Sequence, residues 1–482
     1  MTNTIALSSG ILIGDRWLTS SERQMEHVNP TSGQVQAEFP IASDEVVDEA
    51  VASARGGQRK WAAFAPEERA AALHRVADQL RRRADEFTAI CIEETGLPAG
   101  IAAFHAPHAA RWFDYYAGWA DRIHGKTITI PGSMDLTIAE PFGVVACVTT
   151  WNGPIVGTAM GAAAPLAAGC AVVLKPPELG PFSSRLLGEV FLAAGLPPGT
   201  VNIVLGDGGV GDALVRHPGI DKITFTGGPE TAARIQAACA TALTPLVLEL
   251  GGKSANIVLA DADLEAAAQH AAANILIMTG QVCVAPTRLL IERPVYASVV
   301  QRVGEIMAAA QIGDPHDPAT QVGPVISQRA QERIRSVITT AEGSSDGEIV
   351  AGGADAVPGL GGGFYVRPTL FGNVEPSSAL AQDEVFGPVL TATAFDDPDE
   401  AVEIANSTRY GLAAYLHTRD VTQALTIAGQ LDAGSISING GSSESGPFAP
   451  FGGFKDSGYG KQGGEEGLLE FVRIKNVNIR LG

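Results

Sequence analysis

The chain has 482 residues, enough for several domains or for one catalytic unit built from lobes. Its 45% apolar and 18% charged content is that of a folded globular chain, not a disordered one. A net charge of −20, with no block of Lys or Arg, argues against nucleic acid and anionic membrane surfaces as partners.

Five cysteines (Cys91, Cys147, Cys170, Cys239 and Cys283) are too few and too scattered for a disulfide framework, and none has zinc-ligand spacing. No metal site is expected. A reducing, cytoplasmic setting fits this usage. Met1 to Leu12 lacks the basic start and long apolar run of a signal peptide.

The first third reads as helical. Segments 44–64 and 66–93 are Ala-rich, with Leu73, Val76, Ala77 and Leu80 at helical spacing and Pro66 at a helix start. A third helix over 101–122 carries Phe104, Trp112, Phe113, Tyr116 and Trp119; it is either core or a pocket wall. From Pro141 to Leu174 there is no charged residue, a run long enough to cross a bilayer. Thr149, Thr150, Asn152, Pro154, Thr158 and Pro165 interrupt it, so it reads instead as strand 144–149, helix 155–168 and strand 171–174, buried on both faces.

Strands at 201–205, 222–226 and 246–250 follow, separated mostly by helices (183–194, 229–241). This alternation predicts a doubly wound parallel sheet, with ligands at the carboxyl ends of its strands. A second alternation predicts a second α/β lobe: helix 262–277, a loop with Cys283, strand 287–292, helix 295–310, and strands near 348–351, 389–395, 412–417 and 435–439. Segment 342–363 is Gly-rich and reads as surface loop. Segments 126–138 and 474–481 alternate in polarity and fit strands outside both lobes, an assembly element.

Several short runs carry chemistry. Cys283, in Gly280-Gln281-Val282-Cys283, is either a small buried hydrophobe or a nucleophile facing a cleft. Glu249 ends an apolar strand, where a carboxylate is costly unless paired with Lys253 or used as a general base. Asn152, in Thr150-Trp151-Asn152-Gly153-Pro154, either makes a turn or offers N–H donors to an oxyanion. Lys175 and Glu178 follow a strand, where a carboxylate can hold ribose hydroxyls and repel a 2′-phosphate. Thr226-Gly227-Gly228 enters a helix whose free amides suit a phosphate. Gly206-Asp207-Gly208-Gly209-Val210-Gly211 is a literal Gly-x-Gly-x-x-Gly, but without a clear helix start after it; it reads as a turn with an adenine-side contact at Gly208.

Taken together, these runs resemble the aldehyde dehydrogenase superfamily from Asn29-Pro30-Thr31-Ser32-Gly33 to the C-terminus. The shared blocks are Glu94-Thr95-Gly96-Leu97-Pro98, Trp151-Asn152, Lys175-Pro176-Pro177-Glu178, Phe225-Thr226-Gly227-Gly228, Glu249-Leu250-Gly251-Gly252-Lys253, Gly280-Gln281-Val282-Cys283, Glu384-Val385-Phe386-Gly387-Pro388 and Pro450-Phe451-Gly452-Gly453-Phe454-Lys455. The resemblance implies a cofactor lobe (1–122 and 142–252), a catalytic lobe (253–453) and a β oligomerisation element (123–141 and 468–482) in a homodimer or homotetramer. It implies oxidation of a small-molecule aldehyde with NAD, NADP being the weaker alternative. By position, Cys283 is the nucleophile, Asn152 and the Cys283 N–H hold the oxyanion, and Glu249 activates water. Thr150, Trp151, Lys175, Glu178, Gly208, Thr226, Gly227, Gly228, Leu250, Glu384 and Phe386 contact the cofactor. Lys175 also belongs to the catalytic set.

The departures concern the substrate. Gly153 and Met160 stand where members acting on small aldehydes carry large aromatics, which implies a wider tunnel. His108, Val282 and Phe451 complete its wall, with Glu444 near the mouth. The expected substrate is a bulky aromatic, terpenoid or longer aliphatic aldehyde. The other readings are a coenzyme A-acylating semialdehyde dehydrogenase and a catalytically silent cofactor-binding protein.

Overall fold

The computed structural model describes residues 7–344, 346–440 and 446–481. Two α/β lobes and a small β-sheet make up the chain. In the first lobe, five parallel strands lie in the order Val201–Ile203, Ala171–Lys175, Val144–Val148, Lys222–Thr226, Leu246–Glu249. Nearly every residue in them is buried, which accounts for the missing charges of the 141–174 run. From Val144–Val148 the chain winds outward one way through Ala171–Lys175, then the other way through Lys222–Thr226. The order therefore reverses beside Val144–Val148, and a crevice opens outside the carboxyl ends at such a point. Short strands close both ends: Ile11–Ile13 with Arg16–Leu18 beyond Val201–Ile203, and Gly458–Tyr459, antiparallel, beyond Leu246–Glu249.

The second lobe is a seven-stranded sheet in the order Glu348–Ala351, Thr369–Gly372, Val389–Phe395, Arg288–Glu292, Ala255–Val258, Ala413–His417, Ser435–Ile438. All neighbours are parallel except the first pair. The strand Glu348–Ala351 sits inside the Gly-rich 342–363 segment. Five residues, Leu250 to Ser254, carry the chain from the end of one sheet to the start of the other. The amino ends of the second sheet thus face the carboxyl ends of the first.

Three expectations change. Segment 66–93 is two helices, Pro66–Arg82 and Ala84–Thr95, because Arg83 (φ −101°, ψ 16°) leaves helical geometry. Segment 126–138 is a hairpin, Thr127–Ile130 and Ser133–Pro141, turning at Gly132 (φ +77°). Val472–Arg480 pairs along the full length of Ser133–Pro141, so this sheet ends in two edge strands, with Ile128, Ile130 and Ile474 exposed. And a helix does follow the Gly-x-Gly-x-x-Gly run: Gly208–Arg216, whose N-cap Asp207 accepts from the amides of Gly209 and Val210. That carboxylate occupies the amides a phosphate would need.

The aromatic helix spans Ala99–Ala117. Trp112, Phe113 and Tyr116 are core, whereas Phe104 is exposed and stacks on His108 at 4.9 Å. No helix among the described residues is long and apolar enough to cross a membrane.

Candidate active site

Strand Leu246–Glu249 ends with Glu249 pointing into the crevice between the sheets. Its side chain is 2% exposed, and neither carboxylate oxygen has a hydrogen-bond partner. Burial pushes its acid well above the usual carboxylate range, with Lys461 opposing and Glu470 adding to the shift. The space around it is shaped by glycine. A methyl on Gly452 (φ +153°) would lie 2.8 Å from Glu249 Oε1, and one on Gly458 would strike the Leu248 carbonyl. Lys461 Nζ donates to the Gly452 carbonyl at 2.9 Å. The alternative pairing with Lys253 does not form. Lys253 Nζ is itself buried without a partner, and burial lowers its pKa to about 7.

Cys283 arrives from the other side. Helix Leu264–Leu276 runs into a turn, Ile277–Gly280, in which Met278 (φ 51°), Thr279 (φ 56°) and Gly280 (φ 69°) are all left-handed. Such geometry costs roughly 1–2 kcal/mol per non-glycine residue, so it persists only where neighbours enforce it. They do. Thr279 Oγ1 donates to the Gly323 carbonyl at 3.0 Å, and Gln281 Nε2 to the Met278 carbonyl at 3.0 Å. Gln281 Oε1 accepts from the Ile326 N–H at 2.9 Å. Tyr415 Oη then donates to the Val284 carbonyl at 3.0 Å. Cys283 is half-buried, while the other four cysteines are fully buried and all five are free. Burial, with Glu384 and Glu249 adding, pushes the Cys283 thiol up to about 12, so it rests protonated.

Asn152 joins the two sides. One Nδ2 hydrogen goes to the Gln281 carbonyl at 2.9 Å, which fixes the amide beside the Cys283 loop and leaves a second N–H. Gly252, three residues after Glu249, packs so closely on this loop that a methyl there would lie 2.8 Å from the Cys283 carbonyl oxygen.

Along the crevice, Lys175 Nζ, nearly buried, reaches Glu178 Oε2 at 3.2 Å. Thr150, two residues beyond its strand, and Thr226, at the end of its strand, are half-buried, and Leu250 is buried. The Gly227 N–H is taken by the Glu249 carbonyl at 3.1 Å. Gly228 borders open space ahead of helix Pro229–Ala240, whose first amides have no acceptor within the helix. Gly208 is exposed beside its Asp207 cap, while Gly211, later in that helix, approaches the Lys175 stem. Glu384 accepts the Gly252 N–H at 3.0 Å and lies against Gly251. Burial raises its pKa, against the pull of the Gly252 amide, Lys253 and Arg333. Phe386 (φ 47°) meets the Trp151 ring edge-on at 5.5 Å.

The residues expected to line the substrate tunnel have varied surroundings. Gly153 borders open space, with only Val156 within 4 Å of a methyl placed there. Met160, however, packs against the core of the first lobe. Val282 is half-buried and Phe451 nearly buried, bridged to Gln462. Glu444 lies outside the described residues. Residue types alone did not single out Gln281, Tyr415 and Lys461, which act by holding backbone. Arg288 is a brace as well: its guanidinium donates to the carbonyls of Lys253, Ile404 and Ala405.

Known proteins share this arrangement. The aldehyde dehydrogenase family model matches residues 17–477. The crystal structure of PnpE from Pseudomonas sp. WBC-3 is 34% identical over 98% of both chains, with a TM-score of 0.95, and PnpE has also been solved with nicotinamide adenine dinucleotide. Betaine aldehyde dehydrogenase from Staphylococcus aureus, solved with NAD+, is 31% identical over 98% of this chain and 95% of its own, with a TM-score of 0.95. A mutant of an aldehyde dehydrogenase from Bacillus cereus is 33% identical over 98% and 96%, again with a TM-score of 0.95. By the span of the family match and by identity along almost the whole length, the chain belongs to the aldehyde dehydrogenase family.

Proposed function

We propose that the protein oxidises a bulky aldehyde to its carboxylic acid with NAD, through a thioester on Cys283. The observation that carries this reading is the close packing of the Gly252 backbone on the Cys283 loop, which brings the half-buried Cys283 to the side of the crevice where the unpartnered buried carboxylate lies. The residues present fit a dinucleotide. The open approach at Gly228, the free amides of helix Pro229–Ala240 and the Lys175–Glu178 pair line one continuous edge. There Gly228 would face the pyrophosphate, Lys175 and Glu178 the ribose, and Glu384 and Phe386 the nicotinamide end. Glu178 would repel a 2′-phosphate, which favours NAD over NADP.

Cys283 releases its proton to solvent as its sulfur bonds to the aldehyde carbon and the carbonyl electron pair moves to the oxygen. The oxyanion so formed is held by the second Asn152 N–H and the Cys283 backbone N–H, donors that are fixed before the reaction. NAD, when bound, would supply the hydride acceptor; with the hydride gone, the carbon stays on Cys283 as a thioester. Glu249 as carboxylate then takes a proton from water, and the water oxygen attacks the thioester carbon. The C–S bond breaks, the acid departs and Cys283 regains its proton. A bare carboxylate aimed at this point favours hydrolysis over transfer to coenzyme A.

Gly153, with open space around it, supports a wide entrance. The exposed isoleucines and two free edges of the small sheet support pairing with further copies of the chain. Five free thiols support a cytoplasmic setting.

The test is NADH formation across a panel from acetaldehyde through long aliphatic to aromatic and terpenoid aldehydes, with NAD and NADP in parallel and Cys283→Ser as control. Activity that rises with bulk, prefers NAD and vanishes in the variant supports the reading. A preference for acetaldehyde sinks the bulky substrate, and inactivity on every aldehyde sinks the reaction.

A further inference from the structure

The Glu94 side chain, in helix Ala84–Thr95, is fully buried and has no part in the chemistry above. Its Oε2 accepts the backbone N–H of Phe182 at 2.8 Å and of Ser183 at 3.0 Å. These are the first residues of helix Phe182–Ala193, whose own cap position, Pro181, gives no side-chain hydrogen bond. A helix start leaves amides unsatisfied and favours a negative charge beside them. Here the charge comes from a different helix. The segment it fastens runs from Lys175 through Glu178 to Pro181. The same segment is held from below by His27, whose Nε2 contacts the Leu179 carbonyl at 3.2 Å and whose ring meets Phe182 edge-on at 5.0 Å. Glu94 Oε1 has no partner and lies 3.6 Å from where a methyl on Gly180 would sit.

We propose that Glu94 is a positioning residue for the dinucleotide: as a carboxylate it holds the Lys175–Pro181 segment so that Glu178 meets the ribose, and cofactor affinity falls when it is protonated. This rests on the reading of Glu178 as a ribose contact.

The surroundings leave Glu94 as the group that changes charge near neutrality. Burial raises its acid to about 7, against the pull of Ser183 and the Phe182 amide. Cys91, on the same helix, is pushed well up by burial and stays a thiol. His27, from strand Gln24–Val28, is pushed by burial toward its neutral form, against the Leu179 and Glu94 carbonyls. The neighbouring Glu93 is turned to Asn29 and His316, and on the far side Arg185 is paired with Glu189 and Glu178 with Lys175. Protonation replaces two charge-assisted hydrogen bonds by neutral ones of about half the strength.

The experiment is equilibrium binding of NAD and NADH from pH 6 to pH 8.5 to the wild type, Glu94→Gln, Gly180→Ala and Glu178→Ala, with single-turnover hydride transfer at saturating cofactor. In the wild type Kd should rise up to about tenfold between pH 8 and pH 6, the limit for one required ionisation near neutrality. Glu94→Gln should bind at pH 8 as the wild type does at pH 6 and lose the pH dependence, with hydride transfer within about twofold of wild type. Gly180→Ala sets an apolar methyl in van der Waals contact with Oε1, 3.6 Å away, which disfavours the charge without adding one and should move the midpoint to higher pH, so it carries the test if Glu94→Gln does not fold. A flat wild-type profile, or an unchanged midpoint in Gly180→Ala, overturns the role of Glu94 even where Glu178→Ala weakens binding. Unchanged affinity in Glu178→Ala overturns the ribose reading and this inference with it.

Discussion

Glu94 and Glu249 are both withdrawn from water and are held in opposite ways. Burial raises the acid of each, but Glu94 sits on two backbone amides whereas both oxygens of Glu249 are bare. Two donors turn a buried carboxylate into a fastener, because the hydrogen bonds that stabilise its charge also fix what they belong to. With no donor, the cost of burial stays unrelieved, and the group is poised to take a proton. The difference lies in the elements that meet each side chain. A helix start faces Glu94, whereas Glu249 faces Gly452 and Gly458, positions with no side chain to offer.

The largest test of this contrast is Glu249→Gln. Turnover should fall by about 10²–10⁴-fold, yet one equivalent of NADH per site should still appear in a burst, because hydride leaves before water attacks. Loss of the burst in rapid mixing would place Glu249 earlier in the reaction. Next is Gly452→Ala, which sets a methyl 2.8 Å from Glu249 Oε1 on a residue at φ +153°. Displacing the base should lower turnover by about ten- to a hundredfold, with cofactor affinity unchanged in equilibrium binding. Lys461→Met removes the cation that opposes the upward shift of Glu249. Glu249 acts when ionised, so turnover rises with pH, and this rising limb should move to higher pH by about one unit. A limb that stays put means that Lys461 serves only the Gly452 carbonyl. The smallest effect belongs to Asp207→Ala. Loss of the helix cap should cost about 1 kcal/mol in denaturant unfolding. Cofactor affinity should hold, since those amides serve Asp207 and no phosphate.

Much of this was readable from the residues. Most parallel strands announced themselves because burial on two faces demands uninterrupted apolar runs, as in Val144–Val148 and Ala171–Lys175, but the four-residue strands Ala255–Val258 and Thr369–Gly372 of the second lobe were too short to stand out. Cys283, Glu249 and Asn152 stood out because each is an awkward residue type for its place. The strands Gln24–Val28 and Val35–Pro40 left no such mark, being short, polar and largely exposed. The break at Arg83 has neither glycine nor proline to signal it. The Asp-Gly-Gly of 207–209 is as good a cap sequence as it is a fragment of a nucleotide motif, and only the bonds made by Asp207 separate the two. Gln281 was invisible for a different reason: its work is to tie the nearby Met278 to Ile326 and Asn152, and those last two are distant in the chain.

The short strand Gly458–Tyr459, laid against Leu246–Glu249, has a consequence for how the enzyme is made. Chains emerge from the ribosome amino end first. The thiol loop and the strand bearing Glu249 are therefore finished well before the glycines that close over the carboxylate. Until Gly452 and Gly458 arrive, Glu249 is an edge residue open to water, an ordinary acid with no special basicity. Competence comes with the closing stretch of synthesis, so a chain stalled short of that point carries the nucleophile but not the means to release what it captures.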